Sequence, residues 1–263
     1  MMFPVSLRFL VFLQCATIAS AGILSGCAST EKRHTLSGKE RAAMLAEVAA
    51  GSLNEGDPTG ALATLLEAEQ YDPKSSYIQH LKGLAYFYKN DSETATVCVR
   101  KAVELDPSYT DANNTLGKLL LDSGAYSEAQ KYLEKAVKDP LYRDSYKPQT
   151  NLGVLHYKRG ELAQAEIHLN KAILDFAQGA CVAYYYRGQI RLTHSNFKEA
   201  IDDFDKATKK YCGGFEDAHF AIGLAYQRSK QFEKARRKFV EIQKTFPDTD
   251  VAKKAMDQLR YLP

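Results

Sequence analysis

Apolar and polar positions follow a helical period along the chain beyond residue 40, and small residues punctuate that pattern at fixed distances. A Gly is followed by Ala twelve residues on and by another Ala seven further. The copies are Gly83, Ala95 and Ala102, then Gly117, Ala129 and Ala136, Gly153, Ala165 and Ala172, and Gly188, Ala200 and Ala207. Ala49, Ala61 and Ala68 open the series, and Gly223 and Ala235 close it with Ile242 in place of the last alanine. Large apolar residues recur between them at i, i+3, i+4 and i+7, among them Leu62, Leu65 and Leu66, then Val99, Leu133, Leu169, Phe204 and Phe239. This spacing predicts amphipathic helices and excludes strands. Asp72-Pro73, Asp106-Pro107 and Phe246-Pro247 each stop a helix, because proline cannot continue one and disfavours helical backbone in the residue before it.

The marks advance in steps of 34, 34, 36, 35 and 35 residues. That is the period of tetratricopeptide repeats, in which a unit is one pair of helices, A and B. The fold class expected is therefore all-α, a right-handed superhelical solenoid of six such repeats over 42–249, with units near 42–75, 76–109, 110–143, 146–179, 181–214 and 216–249. The small residues mark places where helix A meets helix B too closely for a large side chain. A solenoid needs sealed ends. Residues 250–263 supply one as a C-terminal cap helix, with Val251, Ala255, Met256 and Leu259 on an apolar stripe and Lys253, Lys254, Asp257, Gln258 and Arg260 facing outward.

Ahead of residue 30 the pattern changes to Arg8 followed by the apolar run 9–23, without an acidic residue. This reads as an export signal over 1–26. The run is short of the ~20 predominantly apolar residues of a spanning helix and is interrupted by Gln14, Thr17 and Ser20. It ends in Leu24-Ser25-Gly26-Cys27, which resembles the bacterial lipobox, where the cysteine becomes the lipid-modified N-terminus. Ala28 follows in place of Asp; by analogy with sorting in Gram-negative bacteria, the expected address is the periplasmic face of the outer membrane. Residues 27–41 are expected to form a flexible tether.

Composition changes little. The formal net charge is +3 with no Trp, and Arg228–Lys238 interleaves Glu233 with its cations, so it reads as a solvated helix face and not a nucleic-acid patch. Of five cysteines, Cys15 leaves with the signal, Cys27 is the lipid site and Cys98 reads as a small core residue. Cys181 opens helix A of repeat five and Cys212 follows its helix B. An antiparallel hairpin brings both to one end, where a disulfide in the oxidising envelope is a hypothesis open to a thiol count.

Motifs for chemistry are absent. The six histidines show no metal-ligand spacing, and there is no nucleophile elbow, P-loop or glycine-rich fingerprint. Asp202, Asp203 and Asp205 are expected on an exposed face of helix B in repeat five. No enzyme activity, cofactor, metal or small-molecule substrate is expected. The working surface is expected on the concave side, lined by helix A. Its candidates are Tyr77, His80, Leu84, Phe87 and Tyr88 in repeat two, Asn114, Lys118 and Leu121 in three, and Thr150, Val154 and Tyr157 in four. Repeat five adds Tyr185 and Gln189, and repeat six adds Phe220, Leu224 and Gln227. Each has an alternative place in the packing between repeats. As a group they suit an apolar helix or an extended peptide, and they lack the dense Lys and Arg of a carboxylate clamp.

The lipobox, the six repeats and the terminal helix together resemble the type IV pilus biogenesis and stability lipoproteins of the PilF/PilW/Tgl type. The most specific stretch is 135–155, where repeat three ends in a turn carrying Asp139, Leu141 and Tyr142, and repeat four opens with Asn151-Leu152-Gly153. Cys181, Cys212 and the run Tyr184–Tyr186 depart from the resemblance. It implies a pilotin that binds outer-membrane secretin subunits and promotes their assembly into the ring through which pili pass. A general periplasmic scaffold for another envelope machine, such as cell-wall synthesis or outer-membrane protein assembly, is the alternative.

Overall fold

The structure, a computed structural model, describes residues 36–263. The export signal, Cys27 and most of the tether lie outside the described residues. Those described form thirteen α-helices and a single 3-10 turn, with no strand. Helices A and B alternate as α1 (Gly38–Asn54) and α2 (Pro58–Tyr71), α3 (Ser76–Tyr88) and α4 (Ser92–Leu105), and α5 (Thr110–Asp122) and α6 (Tyr126–Val137). Then come α7 (Tyr146–Lys158) and α8 (Leu162–Asp175), α9 (Cys181–Thr193) and α10 (Phe197–Lys206), the 3-10 turn Lys210–Cys212, and α11 (Glu216–Arg228) and α12 (Phe232–Thr245). The last helix is α13 (Asp250–Arg260). Each A helix packs on its own B helix, and each pair packs on the next, the arrangement of a tetratricopeptide solenoid.

Local chemistry sets the helix ends. Ser37 and Glu40 form a reciprocal capping box, so α1 begins at Gly38, four residues ahead of position 42 where the first repeat is expected to start. The Ser-x-x-Glu signal was present in the sequence. Asp57, Ser75 and Asp91 cap α2, α3 and α4 with their side chains, and Pro58 stands at the first position of α2, where its missing N–H is not needed. The A-to-B turn of every repeat contains one residue with positive φ: Gly56, Asn90, Gly124, Gly160, Ser195 and Lys230. These six follow the same steps as the small residues of helix A, so two independent local requirements share one register.

The core lies along the A–B seams. Leu65, Val99, Leu133, Leu169, Phe204 and Phe239 are fully enclosed, each sixteen residues beyond the small residue of its repeat. Leu66, expected among the packing residues, is exposed, since Leu65 takes the inward position on α2. On α13 the inward residues are Val251, Ala252 and Ala255, joined by Leu262, whereas Met256 faces out. They cover Ala235, Phe239 and Ile242, the last B-helix face of the array.

The acidic cluster of α10 departs from expectation. Asp202 and Asp205 reach solvent and pair with Lys206 and Lys209, but Asp203 is 0% exposed. Arg187 Nε donates to Asp203 Oδ2 at 2.9 Å and Nη2 to Oδ1 at 2.6 Å, with Arg191 Nη1 2.8 Å from Oδ2. The two arginines come from α9. A buried carboxylate needs such partners to offset its lost hydration, and helical spacing along α10 alone could not reveal them.

Candidate protein-binding groove

The A helices of repeats two to four and the first turn of α9 enclose a hollow of about 300 Å³. Leu84, Phe87, Leu119 and Val182 supply its apolar walls, and Tyr88, 56% exposed, stands at its rim. Polar groups are few and largely mutually satisfied. Asn151 Nδ2 donates to Asn114 Oδ1 at 3.0 Å across the A helices of two adjacent repeats. Thr150 Oγ1 donates to the Tyr146 carbonyl at 2.7 Å. Lys118 pairs with Asp122 at 2.5 Å and Lys147 pairs with Asp144, so both cations at this surface are neutralised by their own helix or its N-terminal flank. An apolar hollow with paired charges takes up apolar side chains and offers little to a phosphate or a free carboxylate.

Six of the residues read from the sequence line this hollow: Leu84, Phe87, Tyr88, Asn114, Lys118 and Thr150. Leu121 and Val154 do not reach a free surface; both belong to the core formed by repeats two to four. His80 is also buried, its Nδ1 3.0 Å from the Tyr109 hydroxyl and its Nε2 2.9 Å from Thr115 Oγ1. Burial pushes its imidazole down to about 4, outweighing the nearby Asp111 charge. Tyr77 packs on the core of repeat one, and Tyr157 and Tyr185 on that around repeat five. The Tyr185 hydroxyl is pushed up to about 12, by burial first and then by Asp217, and its ring lies against Phe204 and Phe215. Phe220 and Leu224 pack on the core that α13 seals, while Gln189 and Gln227 are half-buried away from the hollow. The physical reason is shared. An A helix meets its own B helix, the B helix of the preceding repeat and in most cases a neighbouring A helix, so only a narrow stripe of each turn is left for the groove.

Sequence reasoning missed Thr115, Leu119, Tyr146, Lys147 and Asn151, and also the wall formed by Gly179, Ala180 and Val182. Asn151 sits one place beyond the position equivalent to Asn114, after the step of 36. The wall from 179–182 lies at a repeat boundary, where periodicity carries no side-chain direction. Cys181 within it is joined to Cys212 through their Sγ atoms, with Cα atoms 5.5 Å apart, and Cys98 is the one free cysteine among the described residues. Among those residues no three His, Cys, Asp or Glu side chains come together to hold a metal, and no helix is long and apolar enough to cross a membrane.

The chain belongs to the tetratricopeptide repeat family, which matches residues 76–109, 114–180 and 185–248. Within that family it is related to the type IV pilus assembly protein PilF of Pseudomonas aeruginosa, with 26% identity over 136 residues, 39% of this chain and 53% of PilF. The solved structure of that PilF superposes with a TM-score of 0.71 at 18% identity, covering 84% of this chain and 99% of PilF. The crystal structure of PilW, described as a widely conserved type IV pilus biogenesis factor, gives 0.72 at 19% identity, covering 82% and 98%. A DnaJ homolog subfamily C member 7 homolog from Dictyostelium discoideum is 25% identical over 163 residues, 56% of this chain and 29% of that protein. The chain thus spans between about a third and a half of the curated relatives in sequence.

Proposed function

We propose that this protein is a pilotin-type lipoprotein: acylated at Cys27, held at the periplasmic face of the outer membrane, and binding secretin subunits through the groove between α3, α5, α7 and α9 to promote their assembly for type IV pili. The observation that carries the reading is the hollow itself, an apolar surface with its charges paired, on a chain whose fold runs the length of PilF and PilW. A tetratricopeptide array is a scaffold for protein contacts, and no covalent step is assigned to it.

The test is the heat- and detergent-resistant secretin multimer on an unboiled gel. Deletion of the chain, Cys27→Ala and Leu84→Asp are each expected to abolish the multimer while secretin monomer persists. Leu84→Asp places a charge where the partner would bury an apolar group; because Leu84 also packs on the core formed by repeats one and two, a circular dichroism melt of that variant accompanies the gel, and Tyr88→Asp at the exposed rim is expected to act in the same direction. A multimer unchanged in all these strains would remove the pilotin reading and leave the general envelope scaffold.

A further inference from the structure

We propose that the Cys181–Cys212 bond is a redox-sensitive latch on the wall of the groove: oxidised, it holds Gly179–Val182 against the hollow, and reduced, it lets that wall swing away. The regulatory part of this inference rests on the groove being the binding surface proposed above.

Three features of repeat five lead to it. First, Cys181 lies inside the segment whose residues Gly179, Ala180 and Val182 close the hollow at the boundary between repeats four and five. Second, apart from the burial of Ala180, Ala183 and Tyr184 in the core, the start of α9 has no side-chain hydrogen bond to hold it. Its N-cap, Ala180, supplies no side-chain hydrogen bond, whereas the equivalent helix α3 is capped by Ser75. In repeats three and four, the start of helix A is tied across its repeat to the end of helix B or just beyond it by side-chain hydrogen bonds: Thr110 to Asp139 at 2.5 Å and Ser145 to Asp175 at 2.8 Å. At the same place in repeat five stands the disulfide. Third, the chain departs from the regular repeat in order to make it. α10 is 10 residues long where the other B helices have 12 to 14, and the chain then passes through Lys210 at positive φ into the 3-10 turn that carries Cys212 inward. Cys212 is buried while Cys181 is half-buried, so a thiol reagent meets Cys181 first.

The reducing step is thiol–disulfide exchange with a dithiol. Its thiolate attacks Cys181 Sγ and breaks the bond to Cys212, and its second thiol then resolves the mixed disulfide. Both cysteines end as thiols, and the reductant leaves as a disulfide, having supplied two electrons and two protons. With the bond gone, the hydrogen-bond partner left to the Cys212 sulfur is the Gln178 carbonyl at 3.9 Å, too weak to replace the ties of the other repeats.

Hydrogen exchange on the full chain in detergent, oxidised and after dithiothreitol, tests the latch, with Cys181→Ser/Cys212→Ser as the matching variant. The expected result is faster exchange, by about tenfold or more, confined to Gly179–Tyr184, with α5, α10 and α11 unchanged. Binding of the purified periplasmic part of the secretin is expected to weaken by about fivefold or more in the reduced form, because a wall no longer pre-placed must be ordered on binding. Unchanged exchange at 179–184 overturns the latch. So does exchange that rises throughout α9–α11, which would make the bond a staple for the whole repeat. Secretin bound equally by both forms overturns its regulatory role. Secretin bound by neither form overturns the pilotin reading instead, and the exchange pattern still decides the latch.

Discussion

A methyl group on Gly117 would stand 2.6 Å from Leu133 Cδ2 and 3.3 Å from the Ala129 carbonyl, and Gly153 meets Leu169 and Ala165 in the same way. This is the physical content of the small-residue marks. Ala fills that place in repeat one, where Ala49 is fully buried, so the seam can be built around a methyl group when helix B is set for it. In repeat three it is not: both Cγ and Cδ2 of the enclosed Leu133 stand 2.6 Å from where the methyl group would lie. Gly117→Ala is therefore expected to destabilise by about 1–3 kcal/mol through overpacking, despite a gain in helix propensity of about 1 kcal/mol. Urea denaturation of Gly117→Ala, Leu133→Ala and the double variant checks this. The signature is coupling: the alanine at 117 should cost much less once Leu133 is shortened.

At the scale of elements, each helix pair is stabilised mainly by its neighbours, so terminal elements carry a different burden from internal ones. α13 has one such neighbour, and it hides Phe239 and Ile242 beneath Val251, Ala255 and Leu262. Removing residues 250–263 takes away burial worth on the order of 3 kcal/mol from Val251 and Leu262 alone. The expected outcome is loss of exchange protection in α11 and α12, while α3 to α6 keep theirs. Equal loss along the whole array would show that the cap acts globally and not on its neighbour. The inward stripe of α13 was legible in outline, with Val251 and Ala255 placed correctly. Met256, expected on the stripe, faces out, and Ala252, not singled out in the sequence, faces in, because the exact face a short helix presents depends on its crossing with α12.

Over the whole molecule, histidines kept neutral by burial are spread across separate repeats. His80 lies in repeat two, His168 in four and His219 in six; burial lowers all three, helped at His168 by His156 and at His219 by Lys238, and His168, like His80, falls to about 4. A histidine whose folded value lies below its unfolded one leaves stability untouched above the unfolded value near 6.5 and removes it as pH falls toward the folded value. His80, the most deeply enclosed, should alone cost about 2 kcal/mol by pH 5, with less from His168 and His219, which solvent screens in part. Thermal melts at pH 7.5 and pH 5 are expected to show the fall, and His80→Gln should remove part of it. By itself the sequence determined the helix pairs, their register, the glycine seams and the residue types of the groove, because each follows from a periodicity or a close contact within one unit. Only the tertiary structure decided that His80, Leu121 and Val154 are enclosed, that Asp203 is held by two arginines of α9, and that residues 179–182 complete the hollow. Those outcomes depend on which neighbour covers which face, and the spacing along one helix carries no information about the helix packed against it.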